Sequence, residues 1–180
     1  MFFDPANTTL TVIDVQGKLA ELMHEKDRLY ANVGILIRAA KALDIPILWC
    51  QQNPAGLGTT VPQIAELLAG ITPIDKFSFS CWAEDGFRER LTATQRRQVA
   101  LCGIETHVCV YQTATDLLRA GFEVAVVADA TSSRTADNKQ TALSRMQHEG
   151  VKLASTEMLL FELLRTAHHP HFRNLAKLVK

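Results

Sequence analysis

Three residues of this chain have the types and positions to do covalent chemistry together: Asp14, Lys76 and Cys109. Cys109 follows an apolar strand and a glycine turn, in Leu101-Cys102-Gly103-Ile104-Glu105-Thr106-His107-Val108-Cys109-Val110, at the point where a helix should begin. First-turn N–H groups and the helix dipole favour negative charge there, so the position predicts a depressed thiol pKa and reaction as the thiolate. Read alone, the same residue is more readily a small buried hydrophobe. Asp14 ends an apolar strand, where a carboxylate is costly unless paired or hydrogen-bonded. Lys76 stands in the equally apolar Ile74-Asp75-Lys76-Phe77, and its ammonium would stabilise both the Asp14 carboxylate and a Cys109 thiolate. A structural ion bridge would account for that pair as well. With the cysteine added, the three make a nucleophile, a base and a cation, the parts of a covalent hydrolase site that works without histidine. His107 is a rival base, but two residues apart on a helix is a spacing at which side chains do not face each other.

The elements that must position these residues follow from apolar periodicity. Strands are predicted over Thr8 to Asp14, Pro46 to Gln51, Ile74 to Phe79, Gln98 to Gly103, Glu123 to Ala128 and Val151 to Ser155. Helices are predicted over Asp27 to Leu43, Val61 to Ala69, His107 to Ala120, Asn138 to Glu149 and Glu157 to Arg165, with Gly121 and Gly150 as stops. A tail from His168 to Lys180 spaces Phe172, Leu175 and Leu178 for a short amphipathic helix that packs on its own domain or on a neighbouring subunit. Strands this apolar are buried on both faces, and their alternation with helices indicates a three-layer α/β/α domain with a six-stranded, mostly parallel sheet. Ligands in such folds bind beyond the C-terminal strand ends, which is where all three residues fall.

The chain is expected to be one domain over residues 1–180. Lysine plus arginine and aspartate plus glutamate both number 19, so no net field draws the chain to nucleic acid or to an anionic membrane. With no secretory signal in Met1-Phe2-Phe3-Asp4-Pro5 and no apolar run long enough to span a bilayer, a cytoplasmic protein is expected. Its cysteines at 50, 81, 102 and 109 are then reduced, and their spacing fits no zinc motif. Cys102, His107 and Cys109 together are the one grouping that offers metal-ligand types, and their spacing is not that of a metal site. Gly56-Leu57-Gly58 lacks the lysine and helix context of a phosphate loop.

Four segments, in order, carry a resemblance: Thr11-Val12-Ile13-Asp14-Val15-Gln16, Asp75-Lys76-Phe77-Ser78-Phe79-Ser80, Gly103 to Val110, and Ala128-Asp129-Ala130-Thr131-Ser132-Ser133-Arg134. Together they resemble the isochorismatase-like cysteine hydrolases, the superfamily of nicotinamidases, N-carbamoylsarcosine amidases and isochorismatases, over nearly the whole chain. The resemblance implies a triad in which Asp14 takes the thiol proton, Cys109 attacks a carbonyl carbon and Lys76 favours the anionic state. It also implies a cis peptide between Ile104 and Glu105, with the backbone N–H groups of Glu105 and Cys109 forming an oxyanion hole. Gln16, Phe79 and Trp82 are candidate substrate-lining residues.

Metal-dependent nicotinamidases carry an Asp-x-His pair after the second strand, where this chain reads Trp49-Cys50-Gln51-Gln52-Asn53, so no metal and no cofactor are expected. Gln52 to Pro62 resembles instead the metal-free branch of isochorismatase-domain-containing proteins. The expected function is hydrolysis of a C–N bond in a small amide or related compound. The alternatives are a vinyl ether hydrolase of the isochorismatase type and a non-catalytic scaffold that kept the fold. A homo-oligomer is expected.

Overall fold

The computed structural model describes residues 3–180 and is built on one six-stranded sheet. Its strands are β1 (Thr8–Ile13), β2 (Ile47–Gln52), β3 (Ile74–Lys76), β4 (Gln98–Ile104), β5 (Glu123–Ser132) and β6 (Lys152–Ala154). They lie in the order β3-β2-β1-β4-β5-β6, and every pairing is parallel. The helices are α1 (Gly17–Glu21), α2 (Lys26–Ala42), α3 (Pro54–Leu57), α4 (Pro62–Ala65), α5 (Asp85–Ala93), α6 (Tyr111–Arg119), α7 (Ala136–His148), α8 (Thr156–Leu164) and α9 (Phe172–Leu175).

Alternate strand residues divide the core between two faces. Leu10, Val12, Ala100, Cys102, Ala125 and Val127 pack with α2, α4 and α8 through Val33, Ile37, Ile64 and Leu159. Ile13, Cys50, Val99, Leu101, Val124 and Val126 pack on the opposite side with α5, α6 and α7 through Phe87, Leu117 and Met146. The tail forms α9 and a further 3₁₀ turn, and it docks on its own chain, with Leu175 against Ala39, Leu160 and Leu164. Among the described residues no helix is long and apolar enough to cross a membrane.

The sheet departs from the sequence expectation at two strands, each for a physical reason. β3 stops at Lys76 rather than running to Phe79 because the next carbonyls turn back onto the lysine: Lys76 Nζ donates to the backbone oxygens of Ser78 (3.2 Å) and Phe79 (3.1 Å). The Glu84 carboxylate accepts the freed N–H groups of Phe77 and Ser78. β5 runs on to Ser132 because it bulges: Leu101 pairs with Val126, but Gly103 pairs with Thr131. Asp129 holds the bulge, its Oδ1 accepting from Thr156 N (2.7 Å) and Oγ1 (2.8 Å), while its carbonyl accepts from Asn32 Nδ2. Helix α5 was not anticipated; with only Phe87 and Leu91 buried, its apolar stripe is too narrow to read from periodicity.

The strand order reverses between β1 and β4, where their outward connections open a crevice at the C-terminal ends. Gly103 allows those two strands to meet. Its φ is +118°, and a Cβ there would lie 2.0 Å from the carbonyl oxygen of Ile13. Gly103→Ala therefore combines an unfavourable backbone conformation with a clash against main chain, and it should destabilise the fold by roughly 3 kcal/mol, read as a lowered midpoint in urea unfolding.

Candidate active site

Asp14 follows β1 with a φ of 53°, a left-handed conformation that ends the strand and turns the chain into α1; its N–H donates to the carbonyl of Cys50. Lys76 ends the edge strand β3, in register with Gln52. Cys109 lies in a π-helical turn, Thr106–Val110, that joins β4 to α6. A single loop or helix could not gather these residues, which are separated by 62 and 33 positions in the chain. The switch point of the sheet gathers them.

The Asp14 carboxylate and the Lys76 ammonium form an ion pair of 2.7 Å with side-chain exposures of 3% and 0%, so both charges are out of water. Lys76 Nζ also donates to Gln52 Oε1 at 2.7 Å and to the Ser78 and Phe79 carbonyls, so with Asp14 its three N–H groups are shared among four acceptors. The Cys109 thiol and the Gln52 backbone also act on the Asp14 carboxylate, so the acid lies within reach of the thiol.

The electrostatics correct the expectation of a preformed thiolate. Burial, and after it the negative charge of Asp14, push the Cys109 thiol well above its ordinary pKa, against the opposing pull of Lys76. The site is closer to the core than to the helix end that the sequence suggested, and desolvation outweighs the dipole. Burial likewise raises Asp14 above the ordinary carboxylate value, with Lys76, the Cys109 thiol and the Gln52 backbone pulling the other way. Burial opposes the charge on Lys76, but the anionic groups around it, Asp14 foremost, hold the ammonium above the usual lysine value. The directions of the shifts thus favour an ammonium on Lys76 and a protonated thiol on Cys109.

The turn leading to Cys109 has the cis peptide between Ile104 and Glu105 that the resemblance implied. The Glu105 side chain reaches Arg134, and His107 Nδ1 lies 2.9 Å from Ser133 Oγ. His107 is thus occupied away from the thiol. Cys102 faces the opposite side of the sheet from Cys109, its thiol directed at the Thr11 carbonyl, so the Cys102, His107 and Cys109 metal trio is not assembled.

Two of the three candidate lining residues have other roles in this structure. Gln16 is fully buried, and its carboxamide bonds main chain: Nε2 donates to the carbonyls of Gln52 (2.8 Å) and Gly58 (2.7 Å), and Oε1 accepts from Gln52 N (2.7 Å). It ties the loops after β1 and β2 together and has no polar group left for a substrate. Trp82 turns toward the N-terminal strand ends, its partly buried ring edge-on to Phe122 just before β5. Phe79 is exposed at the rim beside Lys76, together with Phe77. The residue that sequence reasoning passed over is Gln52; a polar side chain at the end of a buried strand was its signal.

A six-stranded, all-parallel doubly wound sheet with helices on both sides is the fold of the isochorismatase-like α/β hydrolases. Residues 8–158 match the isochorismatase domain, and the chain belongs to the isochorismatase family of hydrolases. It is 37% identical over 177 residues to isochorismatase domain-containing protein 2A of Mus musculus, spanning 98% of this chain and 84% of the relative. The structure of the MAR1 ribonuclease from Caenorhabditis elegans superposes with a TM-score of 0.93 at 38% identity, over 99% of this chain and 92% of that one. YcaC from Escherichia coli, an octameric hydrolase of unknown specificity, superposes with a TM-score of 0.88 at 25% identity, over 98% and 95% of the two chains.

The buried ion pair has a direct energetic test. Lys76→Met leaves a buried carboxylate uncompensated and should cost about 3–5 kcal/mol in denaturant unfolding, whereas adding Asp14→Asn to it should recover a substantial part.

Proposed function

We propose that this protein is a cysteine hydrolase that cleaves a C–N bond of a small amide or related compound through an acyl-enzyme on Cys109. The observation that carries the reading is the buried Asp14–Lys76 pair beside a thiol that is protonated at rest. A structural ion bridge has no need of a neighbouring thiol. A base that must take a proton has every need of one, and the Cys109 thiol acts directly on the Asp14 carboxylate.

As Cys109 Sγ bonds to the carbonyl carbon, its proton passes to Asp14, and the carbonyl π pair moves onto oxygen. The backbone N–H groups of Glu105 and Cys109 hold that oxyanion. Collapse re-forms the carbonyl and breaks the C–N bond, and the leaving amine takes the proton from Asp14. Water then attacks the thioester with Asp14 as base, releasing the acid and returning the proton to sulfur. Lys76 stays charged throughout and offsets the negative charge that moves between sulfur and carboxylate. Gln52 and the Ser78 and Phe79 carbonyls hold its ammonium in place.

A vinyl ether substrate would leave the acylable thiol without a task. The relative from Caenorhabditis elegans is named a ribonuclease. In this chain the Lys76 ammonium is already committed to Asp14, and a net charge of zero offers no attraction to a polyanion. A small uncharged carbonyl compound suits the site better. The octameric state of YcaC supports a homo-oligomer, and the absence of a membrane-crossing helix among the described residues is in keeping with a cytoplasmic enzyme.

Sub-stoichiometric iodoacetamide near neutral pH should alkylate Cys109 first, since it is 7% exposed while Cys50, Cys81 and Cys102 are at 0%. Lys76→Ala should slow the labelling, and equal modification of all four thiols in the folded protein would remove the nucleophile assignment. Reaction requires ionised Asp14, so the labelling rate should fall as pH drops through the Asp14 value. Because burial raises that value, the acid limb should lie above the ordinary carboxylate range, and Asp14→Asn should abolish it. Turnover is tested with a panel of small amides, with an RNA oligonucleotide and Cys109→Ala as controls. Amide hydrolysis lost in Cys109→Ala, with the acyl group trapped by mass on Cys109, is the expected result; RNA cleavage in its place would overturn it.

A further inference from the structure

The turn that carries Cys109 is fastened to the end of β5 at two successive points. On the turn, Glu105 and His107 flank Thr106; on the other side, Ser133 and Arg134 are consecutive. Glu105 Oε1 accepts from Arg134 Nε at 3.0 Å and from Arg134 N at 3.3 Å, so one carboxylate oxygen holds both the side chain and the main chain of the same residue. His107 Nδ1 lies 2.9 Å from Ser133 Oγ. Glu105 is one-tenth exposed at its side chain, Ser133 is fully buried, and Arg134 is more than half exposed.

A fully solvated Glu–Arg pair holds its partners only weakly, because water competes and two long side chains must be ordered. Here the carboxylate is mostly out of water, and the guanidinium contact at 3.0 Å is the shorter of the two that Arg134 makes to it, so the side chain adds to a hold that the main-chain N–H at 3.3 Å makes less closely. The β5 bulge at Ala128–Ala130, pinned by Asp129, advances that strand so that Ser132 pairs with Ile104 and the next two residues come level with the turn. The elements on both sides of the contact are therefore rigid.

We propose that Arg134 is a positioning residue for the oxyanion hole: by holding the Glu105 carboxylate it fixes the Glu105 backbone N–H against the developing negative oxygen. This rests on the cysteine-hydrolase reading above. A sub-ångström displacement of a preorganised donor loses transition-state stabilisation while leaving the thiol itself in place.

Two thiol reagents separate those effects. With iodoacetamide, Cys109 Sγ bonds to carbon, the thiol proton passes to Asp14, the C–I bond breaks and iodide leaves, so no oxyanion forms. With acrylamide, Sγ bonds to the terminal alkene carbon and the C=C π pair shifts to give an enolate oxygen, which an oxyanion hole stabilises; the thiol proton passes by way of Asp14 to the α-carbon. Arg134→Gln should lower the rate of acrylamide addition to Cys109 by about tenfold, as expected for weakening one oxyanion donor, with the iodoacetamide rate within about twofold of the wild type. Arg134→Lys, which keeps the charge without the planar fork, should recover only part of the loss. Glu105→Gln, which keeps an acceptor oxygen for Arg134, should show a smaller change of the same kind.

Equal falls in both rates would mean that Arg134 supports the thiol's surroundings generally, and unchanged rates would mean that it positions nothing; either overturns the proposal. Failure of the wild-type protein to label selectively at Cys109 would overturn the cysteine-hydrolase reading itself, which is a different outcome.

Discussion

The contact between Asp14 and Lys76 sets the terms for the rest of this molecule. Two opposite charges out of water are stable only while both are present and further hydrogen bonds satisfy what remains. That requirement explains features which would otherwise look unrelated. β3 breaks off early so that two carbonyls can reach the ammonium. Gln52 keeps its polar side chain at the end of a buried strand to supply a third acceptor. Gln16 stitches the loops after β1 and β2 so that Gln52 stays in place. The thiol lies beside the carboxylate.

The sheet makes that contact possible. Asp14, Lys76 and Cys109 leave three different strands, and a doubly wound order brings the ends of β1 and β4 together at the one place where no crossover connection fills the crevice. Gly103 is the local condition, since any side chain there would meet the backbone of Ile13. The bulge in β5 is a second condition, because without it Ser133 and Arg134 would not come level with the turn that bears Cys109.

Most of the fold was legible in the chain because its strands are apolar on both faces and two of its helices stop at Gly121 and Gly150, signals that act within a few residues. All six strands and the layer arrangement follow from that. What was not legible depended on contacts between distant segments. The last residues assigned to β3 have strand-like composition, yet they curl onto a lysine. Trp82, a candidate lining residue, instead packs its ring edge-on to Phe122, before β5. Gln16, another candidate, has its carboxamide bonded to main chain from two distant loops, which residue type alone does not reveal.

The amino-acid sequence by itself determined the identity and order of the reactive groups and the kind of sheet that would gather them, because residue type and hydrophobic period are local properties. Only the tertiary structure decided their protonation. The helix-start position of Cys109 argued for a thiolate, but the desolvation that dominates its pKa depends on everything packed around it, which no local pattern encodes. The same holds for Glu105 and His107: the sequence put them beside the thiol, and packing against Ser133 and Arg134 turned their side chains away from the chemistry and toward holding the turn that performs it.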